Sequence, residues 1–97
     1  MPPTHLTLHT LLALSVGDAP PQELLQRIVA DTQSKLQPHE SSFYKALHRL
    51  VEHEFITTTR WPNQTIVYRL IGRGHAALRT EHQRYERVAR LLQERLS

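Results

Sequence analysis

The sequence predicts a mainly α-helical chain with one small β-hairpin, placed between a third helix and a long last helix. Three observations lead there. Apolar residues recur at helical spacing in four separate segments. Two short runs, "FITTTR" and "TIVYRL", are instead rich in β-branched and aromatic residues, and "WPNQ" parts them with turn-forming proline and asparagine. The last helical segment is much longer than the rest.

Taken in order, "MPPT" at residues 1–4 reads as a disordered tail. "HLTLHTLLALSV" reads as the first helix, with Leu8, Leu11, Leu12 and Leu14 turned inward. It is apolar around more than one face, which calls for cover from several sides. "GDAPP" breaks it; Asp18 is placed to cap the second helix, and the prolines suit a helix start. "PQELLQRIVADTQS" is that second helix, with Leu24, Leu25, Ile28 and Val29 as its apolar set. Pro38 disfavours helical backbone at Gln37, so a third helix starts at Glu40 or Ser41. Phe43, Ala46, Leu47 and Leu50 fall on one side of it, with Val51 at the margin.

Two strands alone are marginal and must lean on the helices. Tyr68 is assigned to packing against the third helix. "GRG" ends the second strand, and the last helix runs from about His75 to Leu96. Leu78, Tyr85, Val88, Ala89, Leu92 and Leu96 form one stripe along it; Arg79, Arg87, Arg90 and Glu94 lie opposite. So long a helix outruns the globule, and its stripe calls for a partner. The same helix of a second copy is the simplest one; folding back onto the first helix of its own chain is the alternative. The expected organisation is thus a unit at residues 5–74 and a dimerisation helix at residues 75–97.

At 97 residues the chain fits one domain with a modest core. It has no cysteine, which excludes disulfides, thiolate metal sites and cysteine nucleophiles, and fits a cytoplasmic setting. The apolar stretch "LLAL" near the N-terminus is too short for a signal peptide or membrane span, so no membrane partner is expected. The net charge is +3, but its placement says more. Before Ser41, Arg27 and Lys35 face Asp18, Glu23, Asp31 and Glu40. From Ser41 onward ten basic residues face only five acidic ones. Such asymmetry suits an anionic polymer.

No enzyme constellation emerges. His39 lies near Ser41 and Ser42, but nothing orients it as a base. "GRG" lacks the rest of a dinucleotide fingerprint. His5 and His9 stand one helical turn apart, and His75 or His82 could supply a third ligand. A closed metal site needs four, so no metal and no cofactor is assigned.

Helices two and three, joined by a short connector, fit a helix-turn-helix pair, and the hairpin after them fits a wing. The second helix of such a pair enters the major groove of DNA with its N-terminal part nearest the bases. With Phe43, Leu47 and Leu50 inward, Ser41, Lys45, His48 and Glu52 point outward, flanked by Tyr44 and Arg49. Hydroxyls, an amine and an imidazole there suit phosphates, and Lys45 or His48 can also reach purine acceptors. On the wing, Arg60 and Arg69 are candidates for the DNA backbone or minor groove, with Asn63 and Gln64 at the tip. Trp61 either covers the hairpin base or stacks at an interface.

The central stretch "SSFYKALHRLVEHEFI", with the later "YRL" and Gly74, resembles the PadR-like family of winged-helix transcriptional regulators. Ser42, Phe43, Tyr44, Ala46, Leu47, Arg49, Leu50, Ile56, Tyr68, Leu70 and Gly74 fall on that family's spaced pattern. The resemblance implies a homodimeric regulator of double-stranded DNA, most often a repressor, built like the compact subgroup with a single C-terminal helix. It implies dimerisation through that helix with help from the first, here Leu8, Leu11 and Leu12. It also implies release by a small hydrophobic effector. Tyr44 would touch the DNA backbone beside Lys45 and His48, with Ser42 at the helix start; Arg49 would contact DNA or brace the fold through a carboxylate. The chain departs from the pattern at Lys45 (usually proline), Val51 (often acidic), Glu54 (usually glycine), Ile71 (usually a capping threonine), and Pro21 and Gln22 (usually Gly-Tyr). The competing expectation is a winged helix that binds another protein and no specific DNA.

Overall fold

The computed structural model describes residues 5–97, so the tail expected at residues 1–4 lies outside it. The elements run in the order α1 (His5–Ser15), α2 (Pro21–Asp31), α3 (Glu40–Glu52), β1 (Ile56–Arg60), β2 (Ile66–Leu70) and α4 (Gly72–Leu96). This is the mainly α arrangement with a small antiparallel hairpin that the sequence predicts. Among the described residues no helix is long and apolar enough to cross a membrane.

One core joins the first three helices and the hairpin. Phe43, Leu47 and Leu50 of α3 meet Leu11 and Leu14 of α1, Leu24 and Ile28 of α2, and Ile56 and Leu70 of the strands. Each such side chain, fully buried, contributes about 1.5–3 kcal/mol, so α3 is fixed in rotation by its apolar face. The α1 expectation needs one correction. Leu8, Leu11 and Leu14 are buried, whereas Leu12 is 39% exposed. Helical spacing places Leu12 on the side that the other helices leave open.

The corner after α1 differs from the sequence reading. Asp18 does not cap α2; Pro20 holds the N-cap position, and no side chain caps it. The Asp18 carboxylate instead accepts from the Arg69 guanidinium at 2.8 Å. The next residue, Ala19, exchanges both backbone hydrogen bonds with Tyr68, at 3.3 and 2.9 Å, and so adds a one-residue third strand to the hairpin. The end of α1 is capped from α2: Arg27 donates to the carbonyls of Ala13 and Gly17 at 3.0 and 2.8 Å.

α2 stops at Asp31, ahead of the expected Ser34. The Thr32 hydroxyl donates to the Ile28 carbonyl at 2.9 Å and accepts from the Leu36 amide at 3.1 Å. Gln33 and Ser34 then take left-handed backbone, with φ of 53° and 64°. A threonine that satisfies its own turn competes with continued helix.

α3 ends with Glu54 at φ 61° and the Phe55 amide donating to the Leu50 carbonyl at 2.9 Å, a glycine-type helix stop built on glutamate. α4 begins at Gly72, not at His75, with uncapped Ile71 before it. Its first turn packs closely at Gly74, where an added Cβ would collide with the Phe55 carbonyl oxygen. At its far end α4 leaves the globule: every residue from Tyr85 to Ser97 is exposed.

Candidate nucleic-acid interface

α3 presents the predicted outward row. Ser41, Ser42, Tyr44, Lys45, His48 and Arg49 are all exposed, while Phe43, Ala46, Leu47 and Leu50 anchor the opposite side. The rings of Phe43 and Tyr44 meet edge to face at 5.9 Å, which ties the Tyr44 ring to the core and leaves it 44% exposed. Lys45 and Arg49 have no carboxylate partner among the described residues. Arg49 therefore does not brace the fold and stays on the outer row. His48 differs: its Nε2 lies 2.9 Å from a Glu52 carboxylate oxygen, one turn further along the helix.

The hairpin stands beside this row. Its register pairs Ile56 with Leu70, Thr58 with Tyr68 and Arg60 with Ile66. Tyr68 is half-buried against the core. Burial, and secondarily the Tyr44 phenol, raises the Tyr68 phenol above its ordinary pKa.

The wing tip is more self-contained than its sequence suggested. Gln64 donates its amide to the Trp61 carbonyl at 2.8 Å, and Trp61 donates to the Thr65 carbonyl at 3.0 Å. Asn63 spends its side-chain oxygen on the Thr65 amide at 3.1 Å. Arg60 donates one amine to the Gln64 carbonyl at 3.2 Å. Gln64 takes φ 71°, as the last residue of a three-residue loop with a bulge requires. Arg69 is held by Asp18, whose hydrogen bond and charge raise its pKa further above the ordinary arginine value. Of the four polar candidates on the wing, three thus carry an internal hydrogen bond and Gln64 offers its backbone to the turn.

The expected dimerisation residues fall into two groups. Leu8 and Leu11 are buried within the chain's own interior. Leu12, Tyr85, Val88, Leu92 and Leu96 are exposed, and Ala89 lies among them on the outer length of α4. Leu8, Leu12, Leu78, Arg79, His82 and Tyr85 line a groove of about 430 Å³ between α1 and α4. One residue on the inner side of the stripe escaped the sequence reading. Glu81 is 5% exposed and is paired with Arg84 at 2.5 Å. Its i+3 spacing from Leu78 was the signal available. Among the described residues no three histidines or carboxylates gather to hold a metal ion.

Three helices, a hairpin stitched to the corner before α2, and an exposed cationic row on α3 define a winged-helix fold. Solved structures share it over nearly the whole chain. A PadR family transcription regulator from Clostridium difficile matches 97% of this chain with 100% of its own, at TM-score 0.80 and 17% identity. A transcriptional regulator from Clostridium thermocellum matches 93% of this chain and 88% of its own, at TM-score 0.78 and 19% identity. F93 from STIV, a winged-helix DNA-binding protein, matches 87% of this chain and 88% of its own, at TM-score 0.69 and 12% identity. No family model and no curated protein matches the sequence.

Proposed function

We propose that this chain is a PadR-like regulator that binds double-stranded DNA sequence-specifically as a homodimer in the cytoplasm, and that it represses transcription. The observation that carries the reading is the outer row of α3. Tyr44, Lys45 and Arg49 are exposed, in register and, among the described residues, without acidic partners, on the helix that this fold offers to a groove. The exposed stripe of α4 supports the two-fold assembly.

Selection of bound duplexes from random sequence, at stated salt, tests it. The expected product is a palindrome with half-sites about 34 Å apart or a multiple of that. Changing Tyr44, Lys45 and His48 together to alanine lowers affinity by about tenfold or more and reduces the salt slope by about 1. Binding that ignores all three changes overturns the reading in favour of a protein-binding winged helix. A small hydrophobic effector, in this proposal, seats in the groove between α1 and α4. A thermal-shift screen checks it: a ligand of the folded state raises the midpoint of the native chain. It does so less for Leu12→Asp, and an equal rise in both would place the ligand elsewhere.

A further inference from the structure

The wing tip spends one Arg60 nitrogen and the Asn63 side-chain oxygen on its own turn and leaves three apolar residues exposed. Asn63 and Arg60 are bonded within the turn, and backbone hydrogen bonds at Trp61, Gln64 and Thr65 close it. Trp61 remains 38% exposed, Ile66 47% exposed, and Pro62 is exposed between them. Strand alternation directs neighbouring residues to opposite faces. Ile66 pairs with Arg60, so it shares one face with Arg60, while Trp61 lies on the other. The tip therefore carries one exposed apolar side chain on each face and Pro62 in its turn, beside the exposed side chains of Asn63 and Gln64, with one guanidinium at its side.

That shape has a specific use against a duplex. Apolar side chains that enter the minor groove part a base step and kink the helix, provided that their backbone is rigid and a cation holds the phosphates. The hydrogen-bonded turn supplies the rigidity, and Arg60 supplies the cation through the nitrogens not spent on Gln64. Trp61 and Ile66 each keep more than a third of their surface in water, apolar area that a partner duplex would cover.

We propose that the wing tip is an intercalating wedge. Trp61, Pro62 and Ile66 enter the minor groove beside the site read by α3 and bend the duplex. This rests on the DNA-binding reading above, and the experiment separates the two. Trp61 is the only tryptophan, so intrinsic fluorescence reports on this residue alone.

The full chain is titrated with a selected duplex carrying donor and acceptor dyes at its ends. Saturation is expected to quench Trp61 emission about twofold or more and to shorten the dye separation as a bend of about 20–90° requires. Trp61→Ala with Ile66→Thr is expected to bind about tenfold more weakly and to leave the duplex straight. Trp61→Phe, which keeps the aromatic face, retains the bend and guards against a folding artefact. Absence of duplex binding by the native chain overturns both readings. Binding that leaves the duplex straight and Trp61 emission unchanged overturns the wedge alone.

Discussion

At the scale of single residues, the structure shows where one atom decides a contact. Gly74 lies in the first turn of α4, where an added Cβ would meet the Phe55 carbonyl, which is backbone and cannot yield, and a Leu70 methyl. Alanine gains about 1 kcal/mol of helix propensity there. Overpacking costs about 1–3 kcal/mol, and more where the neighbour cannot yield. The expected result for Gly74→Ala is a net loss of about 2 kcal/mol, read as a lower denaturant midpoint at unchanged slope. A stability equal to the native chain's would show that the approach of α4 to Phe55 is looser than the structure has it.

At the scale of elements, helix ends are the informative places. Glu54 holds a left-handed conformation that costs a side-chain-bearing residue about 1–2 kcal/mol. Glycine removes that cost and adds about 0.5–1 kcal/mol of unfolded-chain entropy. Glu54→Gly is therefore expected to stabilise the protein by about 0.5–1 kcal/mol, measured by urea unfolding. A lower midpoint would mean that the glutamate side chain makes a compensating contact in solution.

The helices and the hairpin were legible in the sequence because periodicity is a local signal that burial enforces. Phe43, Leu47 and Leu50 announced the face of α3, and with it the outward row of Ser41, Tyr44, Lys45 and His48. The features that escaped depend on partners far away. Nothing near Asp18 shows that it will serve Arg69, and a single residue such as Ala19 has no strand pattern to display. The start of α4 was placed late because "GRG" is a poor helix former by propensity. A tertiary approach at Gly74 overrides that preference. Arg27 entered the sequence reading only as a charge, and in the structure it is the cap of another helix.

At the scale of the molecule, the shape is a small head with a projecting arm. The chain measures 54 × 28 × 21 Å, and α4 accounts for the long dimension: its 25 residues span about 37 Å. Val88 and Leu92 lie on the exposed outer length of that arm, clear of the core. Replacing both with glutamate is expected to leave the head folded and to weaken the proposed self-association at least about a hundredfold. Sedimentation velocity checks the mass, and an unchanged assembly would move the interface away from α4.

The bonds between the corner and β2 carry a consequence for how the protein comes into being. Asp18 and Arg69 are 51 positions apart along the chain, and Ala19 meets Tyr68 beside them. Contacts that distant are the slow ones, because the chain loses loop entropy before they reward it. During synthesis the three helices can collapse around Phe43 and Leu47 while the corner still waits for its strand. The wing is thus expected to dock last in the head, and a nascent chain halted before Tyr68 would still lack Leu70 from its core.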